Sequence, residues 1–291
     1  MSNFDIFDVE KIPTLNFDGR VNGRVICWIS GGVASAIASF KAFELFGDRC
    51  EFIFCDTSWE HPDTFRFIAD YEKTLGVKVK VIKSHRFDNP EQVWRKYLGM
   101  NFAHGAPCST TLKREVRIKE QDLEKDFCQV FGFDYGKKEI NRAKNFSKAN
   151  PELTPIYPLI HFKMDRDEIF KTLGNLGITP PDAYKHFLNN NCIGDFKSSI
   201  GGCVQGGIGY WQKIKKMFPH KYDYMAKIEH ELSEQKGKPV TICKDQRAGK
   251  KGNRLFLKAN WNFPEVGTID EIKGRQPVTV FECNGFCGTE D

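Results

Sequence analysis

The sequence predicts an α/β fold: a doubly wound parallel sheet with a small cysteine-rich C-terminal extension. Three observations carry that expectation. In "RVICWISGGVASAIASF", residues 24 to 40, a β-branched apolar run breaks at Ser-Gly-Gly and passes at once into small residues, as a strand, tight turn and helix would. In "CEFIFCDT" a second buried run ends at Asp56 and is followed by the helical pattern "HPDTFRFIADYEKTLG". "VKVKVIK" then alternates strictly, giving a third strand. Strands and helices that alternate at this length pair in parallel through crossovers.

The elements follow in order. Val25 to Ile29 forms the first strand, and Gly31 to Phe46 carries Ile37, Phe40 and Leu45 at helical spacing. Beyond Asn101 the pattern predicts a helix over Thr111 to Lys125, a strand at "CQVFGF" and a polar helix from Lys137 to Asn150. "PIYPLI" reads as an extended passage between prolines. "DRDEIFKTLGNLGI", with its acidic first turn and glycine exit, suits a helix of about three turns. From Asn189 the composition shifts to Asn, Gly and Cys. The expected division is an α/β domain over 1–188 and a cysteine-rich, basic extension over 189–291. The chain shows no internal repeat, heptad pattern or low-complexity tract.

Of the 291 residues 40% are hydrophobic and 28% charged, an ordinary globular balance. The formal charge of +5, from 43 basic against 38 acidic residues, permits an anionic ligand without arguing for nucleic acid by itself. No run reaches the roughly 18 apolar residues of a membrane span, and the acidic start "MSNFDIFDVEKIP" lacks the basic-then-apolar order of a signal peptide. A cytoplasmic protein is expected, and its ten cysteines then read as thiols with metal or redox uses rather than as a disulfide framework.

At the end of the first strand, Gly31 and Gly32 let the backbone turn tightly and present N–H groups at a helix start, which suits an anion. Ser30 and Ser35 add hydroxyl donors, so a pyrophosphate-sized group is a reasonable ligand. The spacing is neither the Walker A loop nor the dinucleotide fingerprint. On this stretch alone, a Gly-Gly turn with a capping serine explains the residues equally well.

The order Ser-Gly-Gly-x-x-Ser after a first strand resembles the PP-loop ATP pyrophosphatase superfamily. The downstream segments resemble its phosphoadenosine phosphosulfate (PAPS) reductase-like branch. "FCDTSWEHPDT" is similar to the second-strand segment, with Asp56, Thr57, Pro62 and Thr64; "PCSTTLKREV" gives Cys108 and Lys113; "GFDYGKKEINRAKNF" gives Glu139 and Arg142. "TPIYPLIHFKMDRDEIFKTLGNLGITPPDAY" is similar to the passage that follows, so the resemblance covers roughly residues 24 to 235. It implies an adenine nucleotide alpha-hydrolase-like fold that binds ATP or PAPS, with Mg²⁺ as a candidate companion of the phosphates. Ser30, Gly31, Gly32 and Ser35 would hold those phosphates, with Asp56 near the adenosine and Glu139 in its matching segment. Lys113 and Arg142 would set positive charge against phosphate or sulfate oxygens. The chain departs from thioredoxin-linked reductases in its ending, "FECNGFCGTED", which has no histidine and a second cysteine.

"NNNCIGDFKSSIGGCVQGGIGYWQKIKKMFP" resembles a segment of phage and bacterial PAPS reductase-like proteins, with eight extra residues between Gly194 and Cys203. Cys192 and Cys203, with Cys283 and Cys287, make two pairs that suit zinc or an iron–sulfur cluster; the ten-residue gap leaves buried thiols as the alternative. Cys108, near Lys113, reads as a reactive or metal-binding thiol or as a structural one, whereas Cys27 and Cys55 read as core. Between Trp211 and Lys258 thirteen Lys or Arg face five Asp or Glu, interleaved with Trp211, Phe218, Tyr222, Tyr224 and Phe256. The segment reads either as a nucleic-acid contact or as a solvated helix followed by a hairpin. Two function classes result. One is an enzyme of sulfonucleotide reduction or of AMP-forming adenylation linked to sulfur transfer, with a thiol or sulfur donor protein as partner. The other is a nucleotide- or nucleic-acid-binding module without turnover.

Overall fold

In a computed structural model, which describes residues 23–274 apart from 103, 104, 191, 246 and 248, the chain folds around a five-stranded all-parallel sheet of order β3-β2-β1-β4-β5. The strands are β1 (Val25–Ile29), β2 (Cys50–Cys55), β3 (Val79–Ile82), β4 (Cys128–Val130) and β5 (Pro155–Ile156). Every residue of β1 is buried, because a central strand is covered on both faces. Val25, Cys27 and Ile29 enter one core with α1 (Val33–Phe46) and α2 (Pro62–Leu75). Ile26 and Trp28 enter the opposite core with Phe131, Phe133, Ala143 and Phe146, the last two from α6 (Lys137–Ala149). The expected doubly wound α/β architecture is therefore present.

Chain order turns outward from β1 to β3 and then returns to place β4 on the other side of β1. The switch point thus lies between the carboxyl ends of β1 and β4, where open α/β sheets leave a crevice for ligands. Gly132, just after β4, presses there on the start of α1: a Cβ on it would stand 2.6 Å from Ser35 Cα.

Local departures have physical causes. A helix α3 (Pro90–Tyr97), which sequence reading missed, is capped by Asn89, whose side chain accepts the Gln92 N–H at 3.1 Å. The helix expected over Thr111 to Lys125 starts earlier and stops sooner. It runs as α4 (Pro107–Ser109), a π turn (Thr110–Arg114) and α5 (Glu115–Glu120). Thr111, Leu112 and Lys113 are all buried, which one stripe of a regular α-helix does not provide. "PIYPLI" is extended only at β5 and then forms α7 (Pro158–His161). The helix α8 (Arg166–Asn175) appears as expected, closed by an Asp165–Glu168 capping box.

A second core joins α9 (Ile208–Met217), α10 (Pro219–Lys236) and the antiparallel pair β6 (Cys243–Lys244) and β7 (Arg254–Leu255). It also takes Trp59, Trp94, Met100, Ala106, Ala183 and Phe187, so residues on both sides of Asn189 build it. The basis for base stacking between Trp211 and Lys258 is corrected here. Trp211, Phe218, Tyr222 and Phe256 are buried, and the Tyr224 hydroxyl donates to Glu91 at 2.5 Å. The segment is two helices followed by a hairpin, and these aromatics are spent on packing and on the Glu91 bond. Glu229 of α10 is wholly buried and accepts the Ile242 and Leu257 N–H groups at 2.7 and 2.8 Å, pinning the hairpin to the helix; burial pushes its carboxyl up to about 8. Among the described residues no helix is long and apolar enough to cross a membrane.

Candidate functional site

The Ser30–Ser35 turn stands at the switch point. Gly31 has φ +78°, a conformation that side-chain-bearing residues rarely adopt, and a Cβ on it would stand 2.5 Å from Thr64 Cγ2. The two serines hold the turn from within. Ser30 N–H donates to Ser35 Oγ at 3.0 Å, the two hydroxyls are 2.8 Å apart, and Ser35 Oγ donates to the Gly32 carbonyl at 2.9 Å. Gly32 precedes α1 in extended conformation with no side-chain cap. At the helix start the Gly32 and Val33 N–H groups donate to the Ser30 and Tyr184 hydroxyl oxygens at 3.3 and 3.0 Å.

Asp56 and Thr57 leave β2 beside this turn, and both are buried. Asp56 accepts the Ser58 N–H at 2.7 Å and pairs with Lys83 at 2.7 Å. Thr57 Oγ1 donates to Glu60 Oε1 at 2.9 Å and lies 3.6 Å from Cys192 Sγ. Glu60, a residue that sequence reading passed over, also stands 3.8 Å from Lys113 Nζ, and both side chains are almost fully buried. The π turn swings Lys113 inward to make this pair. A network of buried polar side chains therefore runs from the end of β2 to a cysteine.

That cysteine belongs to a group. A cavity of ≈ 30 Å³ is lined by Cys108, Cys192 and Cys203, with Thr57, Trp59 and Lys113 among its other walls. The ten-residue gap between Cys192 and Cys203 closes on itself: Gly202 N–H donates to the Cys192 carbonyl at 2.9 Å. Gly201, at φ +130°, passes so close to the Ile193 carbonyl that a Cβ would meet its oxygen at 1.8 Å. Cys192 itself has φ +39°. The loop is fastened from outside by Phe196, which stacks on Phe218 with centroids 5.0 Å apart, by His220 at 3.0 Å from the Phe196 carbonyl, and by buried Lys221, which donates to the Ile200 carbonyl. Burial pulls the Lys221 ammonium down to about 8 and lowers His61, whose ring meets Phe196 at 4.3 Å.

Sequence reading placed Cys192 and Cys203 together and set Cys108 apart with Lys113; the fold puts all three around one cavity. Cys283 and Cys287, the other pair expected at a metal, lie outside the described residues. Among the described residues no group of three His, Cys, Asp or Glu is placed to hold a metal ion. Cys27 and Cys55 are buried in strands, as expected of core thiols.

Lys113 faces Glu60, and Arg142 faces Glu139 on α6. Arg142 makes two 2.9 Å bonds to Glu139 and lies over the Phe133 ring at 5.0 Å. Phe133 follows Gly132, so Arg142 flanks the β4 side of the crevice while Lys113 flanks the β2 side. Burial holds the neighbouring Asp134 carboxyl above its ordinary value, against the Gly136 N–H and the Arg166 and Arg142 guanidiniums.

No curated relative matches the chain. Among solved structures, the U34-tRNA thiolase NcsA from Methanococcus maripaludis, with its 4Fe-4S cluster, is similar at 13% identity and a TM-score of 0.36, over 92% of this chain and 89% of that one. The family model described as "phosphoadenosine phosphosulfate reductase domain" matches residues 24–179, just over half of the chain, and spans the turn, the β2 segment, the Cys108–Lys113 segment and the Glu139–Arg142 segment. The chain belongs to the phosphoadenosine phosphosulfate reductase domain family.

Proposed function

We propose that the protein is an adenine-nucleotide-dependent sulfur-transfer enzyme. In this reading ATP binds on the Ser30–Ser35 turn. An acceptor oxygen attacks its α-phosphorus and the bond to pyrophosphate breaks; the outer sulfur of a persulfide on one thiol of the Cys108, Cys192 and Cys203 cavity then displaces AMP from the adenylated acceptor. A second thiol attacks the carrier cysteine's sulfur, so that the S–S bond breaks, the thiolated product leaves and a disulfide forms that an external dithiol reduces. One observation carries the proposal: Thr57, one residue beyond Asp56 at the end of β2, lies 3.6 Å from Cys192 Sγ, joining the nucleotide crevice to the thiol cavity. Family membership supports nucleotide binding and sulfur chemistry.

This chain's own residues supply the rest. The turn's N–H groups and hydroxyls would neutralise the pyrophosphate that leaves. Lys113 would stabilise charge on the transferred group or on a thiolate, with Glu60 setting its position. A sulfur donor protein would reload the cavity. The Cys192–Cys203 loop favours a second reading, sulfonucleotide reduction. There one thiolate attacks the sulfonucleotide sulfur, the S–O bond to the nucleotide breaks, and the second thiol releases sulfite as a disulfide forms, with an external dithiol returning the two electrons. If Cys192 and Cys203 instead joined Cys283 and Cys287 around a zinc ion or iron–sulfur cluster, they would tie the C-terminal residues to the domain and would not serve as the reacting thiols.

Incubating the anaerobically purified chain with ATP, and separately with PAPS or adenylylsulfate, tests both. Pyrophosphate and AMP from ATP are expected. Sulfite from a sulfonucleotide without pyrophosphate would establish the second reading, and binding without products would leave a nucleotide-binding module.

A further inference from the structure

We infer that the thiol cavity is a chamber for one anionic sulfur atom, the outer sulfur of a cysteine persulfide, and that the Trp94 indole N–H is its hydrogen-bond donor, an inference that rests on the sulfur-transfer reading above. Size sets the first limit on the guest. At ≈ 30 Å³ the cavity has room for about one atom beyond the thiols, and none for a nucleotide or a sugar. Charge sets the second. Three thiols share the cavity with the Lys113 ammonium, and among the described residues no carboxylate lines it, which favours an anionic guest. Lys113 divides its charge with Glu60 at 3.8 Å, so a further donor matters to a sulfur anion placed there.

That donor is an independent observation. Trp94 is 1% exposed, and its Nε1 is buried with no hydrogen-bond partner among the described residues, a costly arrangement that a bound acceptor would relieve. An indole N–H can only donate, so the guest it suits is an acceptor such as a sulfur anion. Pro90 and Trp94, one helical turn apart on α3, both line the cavity, so this face of the helix is turned toward the thiols. Trp59, another wall of the cavity, meets the Trp94 indole edge-on with ring centroids 5.1 Å apart and fixes its orientation. Trp211 supplies the contrast. Its Nε1 is likewise buried without a partner among the described residues, and a Cβ on the wall residue Gly202 would stand 2.4 Å from its Cη2, yet Trp211 does not itself line the cavity.

Inorganic tetrasulfide loads such a chamber by exchange: a cavity thiolate attacks one of its sulfurs, an S–S bond breaks, and a shortened polysulfide leaves a persulfide on the cysteine. The test titrates the anaerobic full chain and its Trp94→Phe and Trp211→Phe variants with sodium tetrasulfide, after a thermal melt has shown them to be folded. Alkylation and peptide mass spectrometry then count the persulfide at each cysteine. The wild type is expected to load at Cys108, Cys192 or Cys203. Trp94→Phe should need roughly tenfold more tetrasulfide for half-loading, because a hydrogen bond to a charged group is lost, and Trp211→Phe should load like the wild type. If Trp94→Phe does not fold, a ¹H–¹⁵N spectrum of the wild type gives the readout: the Trp94 indole N–H moves downfield on loading and that of Trp211 stays. Unchanged half-loading in a folded Trp94→Phe variant overturns the inference, as do equal losses in both variants or a Trp94 signal that does not move. A wild-type chain that takes no sulfur at these three cysteines overturns the sulfur-transfer reading and this inference with it.

Discussion

The Ser30–Ser35 turn and the thiol cavity are built in opposite ways. The turn is written locally: Ser30 and Ser35 hydrogen-bond to each other and to the Gly32 peptide, and the strand and helix on either side fix its place. The cavity is assembled from distant segments. Cys108 comes from the start of a π-interrupted helix, Thr57 and Trp59 from the β2 exit, and Cys192 and Cys203 from a loop fastened by α10. A local motif is written in adjacent residues, whereas a distributed one exists only when three segments arrive together. A fault in the turn should therefore abolish binding, while a fault in the cavity should cost stability and turnover in proportion to what it leaves unpaired.

The largest effect is expected from Gly31→Val. The positive φ and the 2.5 Å approach to Thr64 leave no room for a Cβ, so binding of ATP should fall by two orders of magnitude or more, with about 1–3 kcal/mol of stability lost to backbone strain. Calorimetric titration and a denaturant melt measure the two. Near-normal ATP affinity would break the account of the turn.

Lys113→Met comes next, because it strands Glu60 in a buried site. A loss of about 3–5 kcal/mol is expected on removing one partner of a buried pair, less what relaxation of the 3.8 Å contact recovers. Adding Glu60→Gln should restore most of the stability but not the turnover. A double variant no more stable than the single one would show that the pair is not the unit described.

A third, smaller effect concerns pH and lies away from both regions. Glu229 holds a raised carboxyl in the fold, from an ordinary 4.5 to about 8. The native state therefore binds a proton that the unfolded chain has released. The stabilisation is full below about pH 4.5 and is lost as pH rises through 8, on the order of a few kcal/mol. Denaturant midpoints at pH 5 and pH 9 should show this slope, and Glu229→Gln should flatten it.

The same contrast explains what could be read from sequence. The fold order was legible because "VICWI", "CEFIFC" and "VKVKVIK" each carry a strand signal in consecutive residues, and the Ser-Gly-Gly turn sits directly after the first. Glu60 was not legible: nothing in "SWEHP" distinguishes a surface glutamate from one buried against Lys113. The π turn that buries Lys113 carries no sequence mark in "TTLKR". The ten-residue gap after Cys192 looked too wide for a pair because loop closure by Gly201 and Gly202 is a three-dimensional property. The aromatics after Trp211 were open to two readings because a buried ring and a stacking ring share one alphabet. Tyr184 and Asn190 reach the turn across more than 150 residues, a separation that no motif spans.

The central claim is that the nucleotide crevice and the thiol cavity form one continuous site. It is tested most directly by the rate at which a maleimide or iodoacetamide modifies Cys192 and Cys108, followed by peptide mass spectrometry with and without saturating ATP. Cys50, at the start of β2, serves as the reference. Bound ATP is expected to change modification of Cys192 and Cys108 by roughly tenfold, the scale of one charge-assisted contact, and to leave Cys50 unchanged. Equal rates at all three cysteines while ATP is demonstrably bound would contradict the account.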